Sequence, residues 1–319
     1  MLIFYQNSYL CDQTRKPMIE MEPIIEAVPR EELERELTLD KKIRNTNKAS
    51  NEIYVITAAD SPAVMREIGR LREVSFRNAG GGTGKEVDID ECDIAEDGYR
   101  QLIVWDPAAR EIVGGYRFIV CRSSHPANLS TEHYFRFADK FREEFLPWTI
   151  ELGRSFVQPR YQSRDNNKSI FALDNLWDGL GALTVLNPDV RYFFGKVTMY
   201  TDFNVEARNM IIYFMRRYFP DPDQLMEGID PVEMAIDSSR LDEIFCGESY
   251  DENYRKLVQE VRARGENIPP LINSYIGLSP SMRVFPTVHN NDFGAVEETG
   301  ILITIADIYP CKSERHMKF

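Results

Sequence analysis

Apolar residues fall along this chain in short bursts, and their spacing alternates between that of a strand and that of a helix. EIYVITA at residues 52–58 is a compact apolar run that predicts a first strand. Ser61 and Pro62 then stand where a helix starts, an order suited to the free N–H groups of a first turn. Met65, Ile68, Leu71 and Arg72 fall near one face of that helix, and Phe76 lies one turn beyond Arg72. Residues 99–105 and 111–121 read as two strands joined through Asp106 and Pro107, and residues 148–157 as a further strand. Helices at about 168–186 and 204–219 flank a strand at 191–200, and a late strand at 300–309 completes a mixed sheet. This alternation predicts an α/β fold over residues 51–319, with no internal repeat. Residues 1–50 read as an N-terminal extension with a short helical pattern at 30–37.

The strand at 148–157, WTIELGRSFV, breaks its own pattern, because it carries Glu151 and Arg154 where the neighbours read as core. Charges there are costly unless paired. Strict alternation sends the two to opposite faces, whereas a bulge at Gly153 between them turns both to one side. Two readings stand: a structural ion pair on a half-exposed strand, or a working pair in a site.

Composition narrows the class. With 43% hydrophobic and 28% charged residues, the 319-residue chain is ordinary for a globular enzyme. No window approaches the roughly 18 apolar residues of a membrane helix, and MLIFYQNSYLCDQTRK lacks the long apolar core of a signal peptide. Cysteines 11, 92, 121, 246 and 311 form an odd, scattered set, which predicts reduced thiols and a cytoplasmic location. Histidines 125, 133, 289 and 316 make no ligand spacing, so no metal site is expected.

The net charge of −13 is uneven: residues 221–260 hold twelve acids against three bases and read as a solvated, turn-rich insertion. Such an acidic chain without basic clusters is not expected to bind nucleic acid. Residues 136–168 are locally basic, with seven Lys or Arg against five acids. Arg136, Lys140, Arg142, Arg160 and Lys168 are candidates for docking a small acidic carrier protein, beside the plain reading of ordinary surface charge.

GGGTGK at 80–85 lacks the first glycine and the Ser/Thr of a phosphate-binding loop and follows a helix, so nucleotide hydrolysis is excluded. Those glycines suit a mobile lid or a plain flexible loop. No GxSxG or Cys–His pattern marks a covalent nucleophile.

Five segments then follow in order: LREVSF (71–76), DIDECD (88–93), VGGYRF (113–118), STEHYF (130–135) and ELGRSFV (151–157). Their succession resembles the acyl-homoserine-lactone synthases and, more closely, the ornithine- and glycine-lipid N-acyltransferases, often labelled haemolysin-like. Both groups are built on the GNAT acyltransferase fold. The resemblance spans about residues 30–310 and rests on Arg72 and Phe76, Asp90 and Asp93, Arg117, and Glu151 with Arg154. It implies that Arg72, Phe76, Asp90, Asp93 and Arg117 shape the active-site cleft, against the plain alternative of an Arg–Asp network that fixes a loop. Arg117 or Arg72 is then a candidate to bind a substrate carboxylate through a bidentate fork, and Asp90 and Asp93 to hold an ammonium or tie down the lid.

CoA-dependent members of that fold carry a glycine-rich turn after the strand equivalent to 148–157, where backbone amides hold a pyrophosphate. Here FVQPRYQSRDNNKSIF has no glycine, which fits relatives that take their acyl group from acyl carrier protein. Lys168, near the next helix start, is placed to meet the phosphate of a phosphopantetheine arm, and Ser155 and Arg160 join it as donor-side candidates. Phe135, Phe141, Phe145 and Trp148 either line an acyl-chain tunnel or form simple core.

N-acylation needs a neutral amine, a positioned thioester and donors for the developing oxyanion. Glu151 is the candidate base, directly or through water, with backbone N–H groups beside Gly153 as oxyanion donors. Arg154 orients Glu151 or grips the phosphopantetheine. The expected activity is transfer of a (3-hydroxy)fatty acyl group from acyl carrier protein to a small amino acid, glycine or ornithine. No cofactor beyond the phosphopantetheine thioester is expected, and the lipid product suggests peripheral contact with the inner membrane face. An acyl-homoserine-lactone synthase using S-adenosylmethionine is the alternative, disfavoured by length and by the C-terminal block from Ile268. A non-enzymatic, haemolysin-like membrane-active protein is disfavoured by the lack of secretion signal, calcium repeats and long amphipathic stretches.

Overall fold

The computed structural model describes residues 21–123, 129–162, 169–233, 238–294 and 296–317. In chain order the main elements are α1 (Arg30–Glu36), β1 (Lys42–Asn45), β2 (Glu52–Ile56), α2 (Pro62–Asn78), α3 (Glu91–Ile94), β3 (Arg100–Asp106), β4 (Glu111–Val120) and β5 (Phe135–Phe137). There follow β6 (Thr149–Val157), α4 (Ser169–Leu186), β7 (Tyr192–Met199), α5 (Val205–Tyr218), β8 (Met226–Gly228), α6 (Ser238–Ile244) and α7 (Tyr250–Ala263). The last are α8 (Pro270–Ile276), β9 (Arg283–Asn290), β10 (Val296–Thr304) and α9 (Pro310–His316).

Eight strands form one sheet in the order β1-β2-β3-β4-β6-β7-β10-β9, and β5 pairs with β8 apart from it. Every pairing in the large sheet is antiparallel except β6 with β7, which is parallel. Both faces are covered, which is why QLIVW in β3 reads as a continuous apolar run instead of alternating. Leu102 and Val104 join the cluster under α4, while Ile103 and Trp105 pack under α2 with Ile56, Leu71 and Phe156.

Several sequence expectations change here. Lys42–Asn45 lie in the presumed N-terminal extension but pair with β2 as the edge strand of the sheet. The late strand begins earlier and ends at Thr304. Ser61 makes no side-chain cap on α2. Its hydroxyl donates to Asp60 at 2.6 Å and accepts from Lys41 at 2.8 Å. The Glu36 carboxylate instead takes the free N–H groups of Ala63 (3.1 Å) and Val64 (2.9 Å), so α1 caps α2.

The acidic stretch is not merely solvated. Leu241, Phe245, Leu257 and Val261 from α6, α7 and the turn between them are buried against α5. Charge there sits on the outer faces of amphipathic helices. The glycine loop is likewise tied down instead of standing as a lid. Thr83 N–H donates to Glu73 at 2.7 Å, Glu22 N–H to Gly84 O at 2.8 Å, and Gly81 packs against Tyr200 and Phe293. Gly80, Gly82 and Gly84 have φ of 92°, 101° and 77°, which is what the glycines supply.

Candidate active site

The site is built where β4, β6 and the start of α3 meet under α2. Pairing of β4 with β6 slips between Gly115–Phe156 and Arg117–Gly153, leaving Arg154 and Ser155 opposite the single residue Tyr116. Arg154 takes up the slack with φ of 50°, a left-handed conformation rare for arginine. The bulge therefore sits one residue beyond Gly153. It places Arg154 on the same side of the sheet as Glu151, as the sequence implied, but the two side chains do not pair.

Glu151 is fully buried and answers to hydroxyl groups. Its Oε1 accepts from Tyr99 at 2.5 Å and Ser130 at 2.8 Å, and its Oε2 from Thr131 at 2.8 Å. The Tyr99 hydroxyl also accepts from Ser130 N–H at 2.9 Å. Burial, then the neighbouring Glu151, push the Tyr99 phenol well above its ordinary pKa, so it stays a donor.

Arg117 connects that cluster to the carboxylates. Its guanidinium lies 4.8 Å over the Tyr99 ring and donates to Asp90 at 2.7 and 2.8 Å and to Asp93 at 3.2 Å. Asp90 and Asp93 cap the short α3 reciprocally, which fixes both. Arg72, fully buried, donates to Asp93 at 3.0 Å and to Gln101 at 2.6 Å, and Gln101 returns a bond to Asp93 at 2.9 Å. Burial would raise Asp93, but Arg72 and then Arg117 outweigh it and hold the carboxyl well below the usual range. Burial likewise works against the charge on Arg117, yet Asp93 and Asp90 hold it firmly protonated. Arg154 is 2.9 Å from Asp88 and 3.8 Å from Asp90, and its guanidinium stacks 4.5 Å over Phe293. Phe76 meets Phe293 edge-on at 4.9 Å.

All seven cleft residues singled out from sequence thus belong to one contact chain. Their exposure separates them: Asp93 and Arg72 side chains are at 0% and Arg117 at 4%, against 15% for Arg154 and 35% for Asp90. Arg72 is fully buried and committed to Asp93 and Gln101, whereas all three Arg117 bonds come from Nη1 and its Nε has no hydrogen-bond partner among the described residues. Asp88, Tyr99, Gln101, Ser130, Thr131 and Phe293 complete the network and were not singled out. Three of them lie in quoted segments, Asp88 in DIDECD and Ser130 and Thr131 in STEHYF.

A groove opens on the opposite face. β6 and β7 pair only from Thr149–Tyr192 to Leu152–Gly195, although β6 continues to Val157 and β7 to Met199. Beyond that point Gly153, Arg154 and Ser155 form one wall and Gly195 and Lys196 the other, under Leu176 and Trp177 of α4 and Tyr275 of α8. Lys196 pairs with Glu298 and lies 4.5 Å over the Tyr134 ring. Burial pushes its ammonium below the ordinary lysine pKa; Glu298 opposes this and Arg154 adds to it.

The donor-side candidates do not come together. Ser155 is exposed on the groove wall, but Phe135 is sealed in an aromatic cluster with Phe141, Phe194 and Phe285. Phe141 and Phe145 share that packed cluster, so of the two readings, tunnel or core, these three phenylalanines form core. Trp148 is 38% exposed at the far end of β6, stacked by Arg191 at 4.6 Å. Arg160 donates to Glu111 at 2.7 Å, Lys140 to Asp223 at 2.6 Å, and Arg142 lies 2.8 Å from Glu132. The basic patch is therefore largely matched by carboxylates of the same chain. Lys168 lies outside the described residues.

Among the described residues no helix is long and apolar enough to cross a membrane. Residues 71–171 match the model of the acetyltransferase (GNAT) domain family. The chain is 53% identical over 305 residues to a glycine N(alpha)-acyltransferase of Phocaeicola vulgatus, covering 93% of each. It is 51% identical over 304 residues to one of Bacteroides thetaiotaomicron, covering 93% of this chain and 90% of that one. Among solved structures, a CoA-dependent acyl-homoserine lactone synthase, BjaI, with SAM and isopentyl-CoA, shows 16% identity over 50% of this chain and 72% of its own. Its TM-score is 0.28, too loose a likeness to carry an argument. The long relatives and the domain match together make this chain an acyltransferase, a member of the GNAT-fold N-acyltransferase family that contains those glycine N(alpha)-acyltransferases.

Proposed function

We propose that this enzyme transfers a fatty acyl group from the phosphopantetheine thioester of acyl carrier protein to the amino group of glycine, giving an N-acylglycine lyso-lipid. The observation that carries the reading is the parting of β6 from β7 at Leu152–Gly195, directly behind the bulge that presents Arg154. Two strand edges freed from each other can bond the amides of an extended pantetheine arm, as an added strand would. The thioester carbon then lies at the vertex, beside Gly153, where backbone N–H groups serve the oxyanion.

The acceptor enters from the α2 side. Arg154, the partly exposed guanidinium held by Asp88 and Phe293, is suited to the carboxylate of glycine. The glycine amine attacks the thioester carbon, a C–N bond forms and the carbonyl becomes an oxyanion; on its collapse the C–S bond breaks, and the thiolate takes the surplus proton of the attacking nitrogen and leaves as the pantetheine thiol. The ammonium must lose a proton first. Because Glu151 is sealed, it takes that proton through the Ser130 or Thr131 hydroxyl instead of by direct contact. Arg72, Arg117, Asp90 and Asp93 hold this frame in place.

Glycine is preferred to ornithine because both long relatives are named for it. Carrier protein is preferred to CoA because the segment after β6 has no glycine turn for a pyrophosphate. The test is lipid mass spectrometry of cells expressing the chain against an empty control. A new N-acylglycine series supports the reading, an N-acylornithine series replaces the acceptor, and matching lipid profiles refute it.

A further inference from the structure

Tyr116 sits at the centre of β4, and its side chain enters the α4 face with Phe118 and Leu102. It is the one β4 residue opposite the two-residue bulge of Arg154 and Ser155, so the slip in register fixes where its ring points. The residue is 4% exposed, yet its hydroxyl has no hydrogen-bond partner among the described residues. Gly179 of α4 leaves the room it occupies, since a Cβ there would stand 2.9 Å from the hydroxyl oxygen. The same residue lines the groove between the parted strands, with Leu176, Trp177 and Tyr275.

A buried hydroxyl without a partner costs stability, and phenylalanine would fill the same space without that cost. Apolar binding grooves, however, characteristically carry a few polar groups that fix a ligand's orientation. We propose that the Tyr116 hydroxyl is a donor-binding group, giving its hydrogen bond to an oxygen of the bound acyl-pantetheine other than the reacting carbonyl and setting how deep the acyl group sits in the groove. The inference rests on the reading of that groove as the donor site. Burial, with Tyr275 adding to it, pushes the Tyr116 phenol well above its ordinary pKa, so it remains a neutral donor at working pH. The acceptor oxygen belongs either to an amide of the pantetheine arm or to a hydroxyl on the acyl chain, and the two are separable.

The experiment compares the full-length wild type with Tyr116→Phe, using palmitoyl and 3-hydroxypalmitoyl thioesters of acyl carrier protein and glycine as acceptor. A lost hydrogen bond of ordinary strength predicts a donor KM raised about 3- to 10-fold with kcat nearly unchanged. The melting temperature should hold or rise, since the substitution removes an unsatisfied group. Equal losses with both donors place the oxygen on the pantetheine arm, and a loss confined to 3-hydroxypalmitoyl places it on the chain. An unchanged donor KM with both overturns the proposal, and so does a lower melting temperature with unchanged KM. A wild type inactive with both donors overturns the functional reading itself, an outcome distinct from any effect of the variant.

Discussion

Glu151 and Arg154 lie three residues apart on one side of β6, yet each is satisfied by a different set of groups. Glu151 holds three hydroxyls, and Arg154 holds Asp88 and the ring of Phe293. The bulge that brings them to one face thus separates a sealed carboxylate from a guanidinium that still reaches solvent.

Glu151→Gln is therefore expected to affect stability as well as activity. An amide presents one acceptor and one donor where three hydroxyls donate, so at least one buried group loses its partner, at about 1–3 kcal/mol. Turnover should fall at least about 100-fold, in the range for loss of a general base. Thermal melts beside single-turnover rates check this. Full activity with a lowered melt would reduce Glu151 to a structural role.

Arg154→Ala removes the cation assigned to the acceptor carboxylate. Loss of a charged hydrogen bond of about 1.5–3 kcal/mol predicts a KM for glycine raised about 10- to 100-fold. Steady-state kinetics varying each substrate in turn decide it. A rise in donor KM instead would place Arg154 on the pantetheine.

Asp93 gives the acid side of the stability curve a definite sign. Its folded pKa is depressed by Arg72 and Arg117, so its contribution is complete above its unfolded value of about 3.9 and fades as pH falls towards the folded one. Asp93→Asn should cost about 3–5 kcal/mol at pH 7, because two buried guanidinium groups lose a counter-charge. The gap to wild type should narrow below about pH 4. Urea unfolding across pH 2–7 tests this, and a gap that does not change with pH would contradict it.

Glu36→Ala should destabilise by about 1 kcal/mol through the first turn of α2, and Ser61→Ala by less as a cap. Chemical denaturation of the two variants orders them. A larger loss for Ser61→Ala would contradict the cap assignment.

Apolar runs and periods pointed to the α/β class, because strands buried on both faces write continuous apolar runs, while the seven cleft residues were pointed to by the family resemblance of the ordered motifs. What could not be read was who answers whom. Glu151's partners come from residues 99, 130 and 131, and neither their spacing nor their type marks them. The cap of α2 comes from α1, a tertiary contact that the serine before Pro62 masks. The groove between β6 and β7 was missed because it follows from where two strands stop pairing, and Gly195 in FFGK carries no sign of that. The aromatic run at 135–148 left tunnel and core open in the sequence because the two have the same composition.

The most direct measurement of the account is acyl transfer by the purified protein from palmitoyl acyl carrier protein to glycine, comparing wild type with Ser155→Trp. Ser155 is exposed on the groove wall, so an indole there obstructs the groove without entering the core. The account predicts N-acylglycine from wild type and a rate at least about 10-fold lower from the variant, at an unchanged melting temperature. Equal rates from the two proteins would contradict the assignment of the groove, and no N-acylglycine from either would contradict the activity.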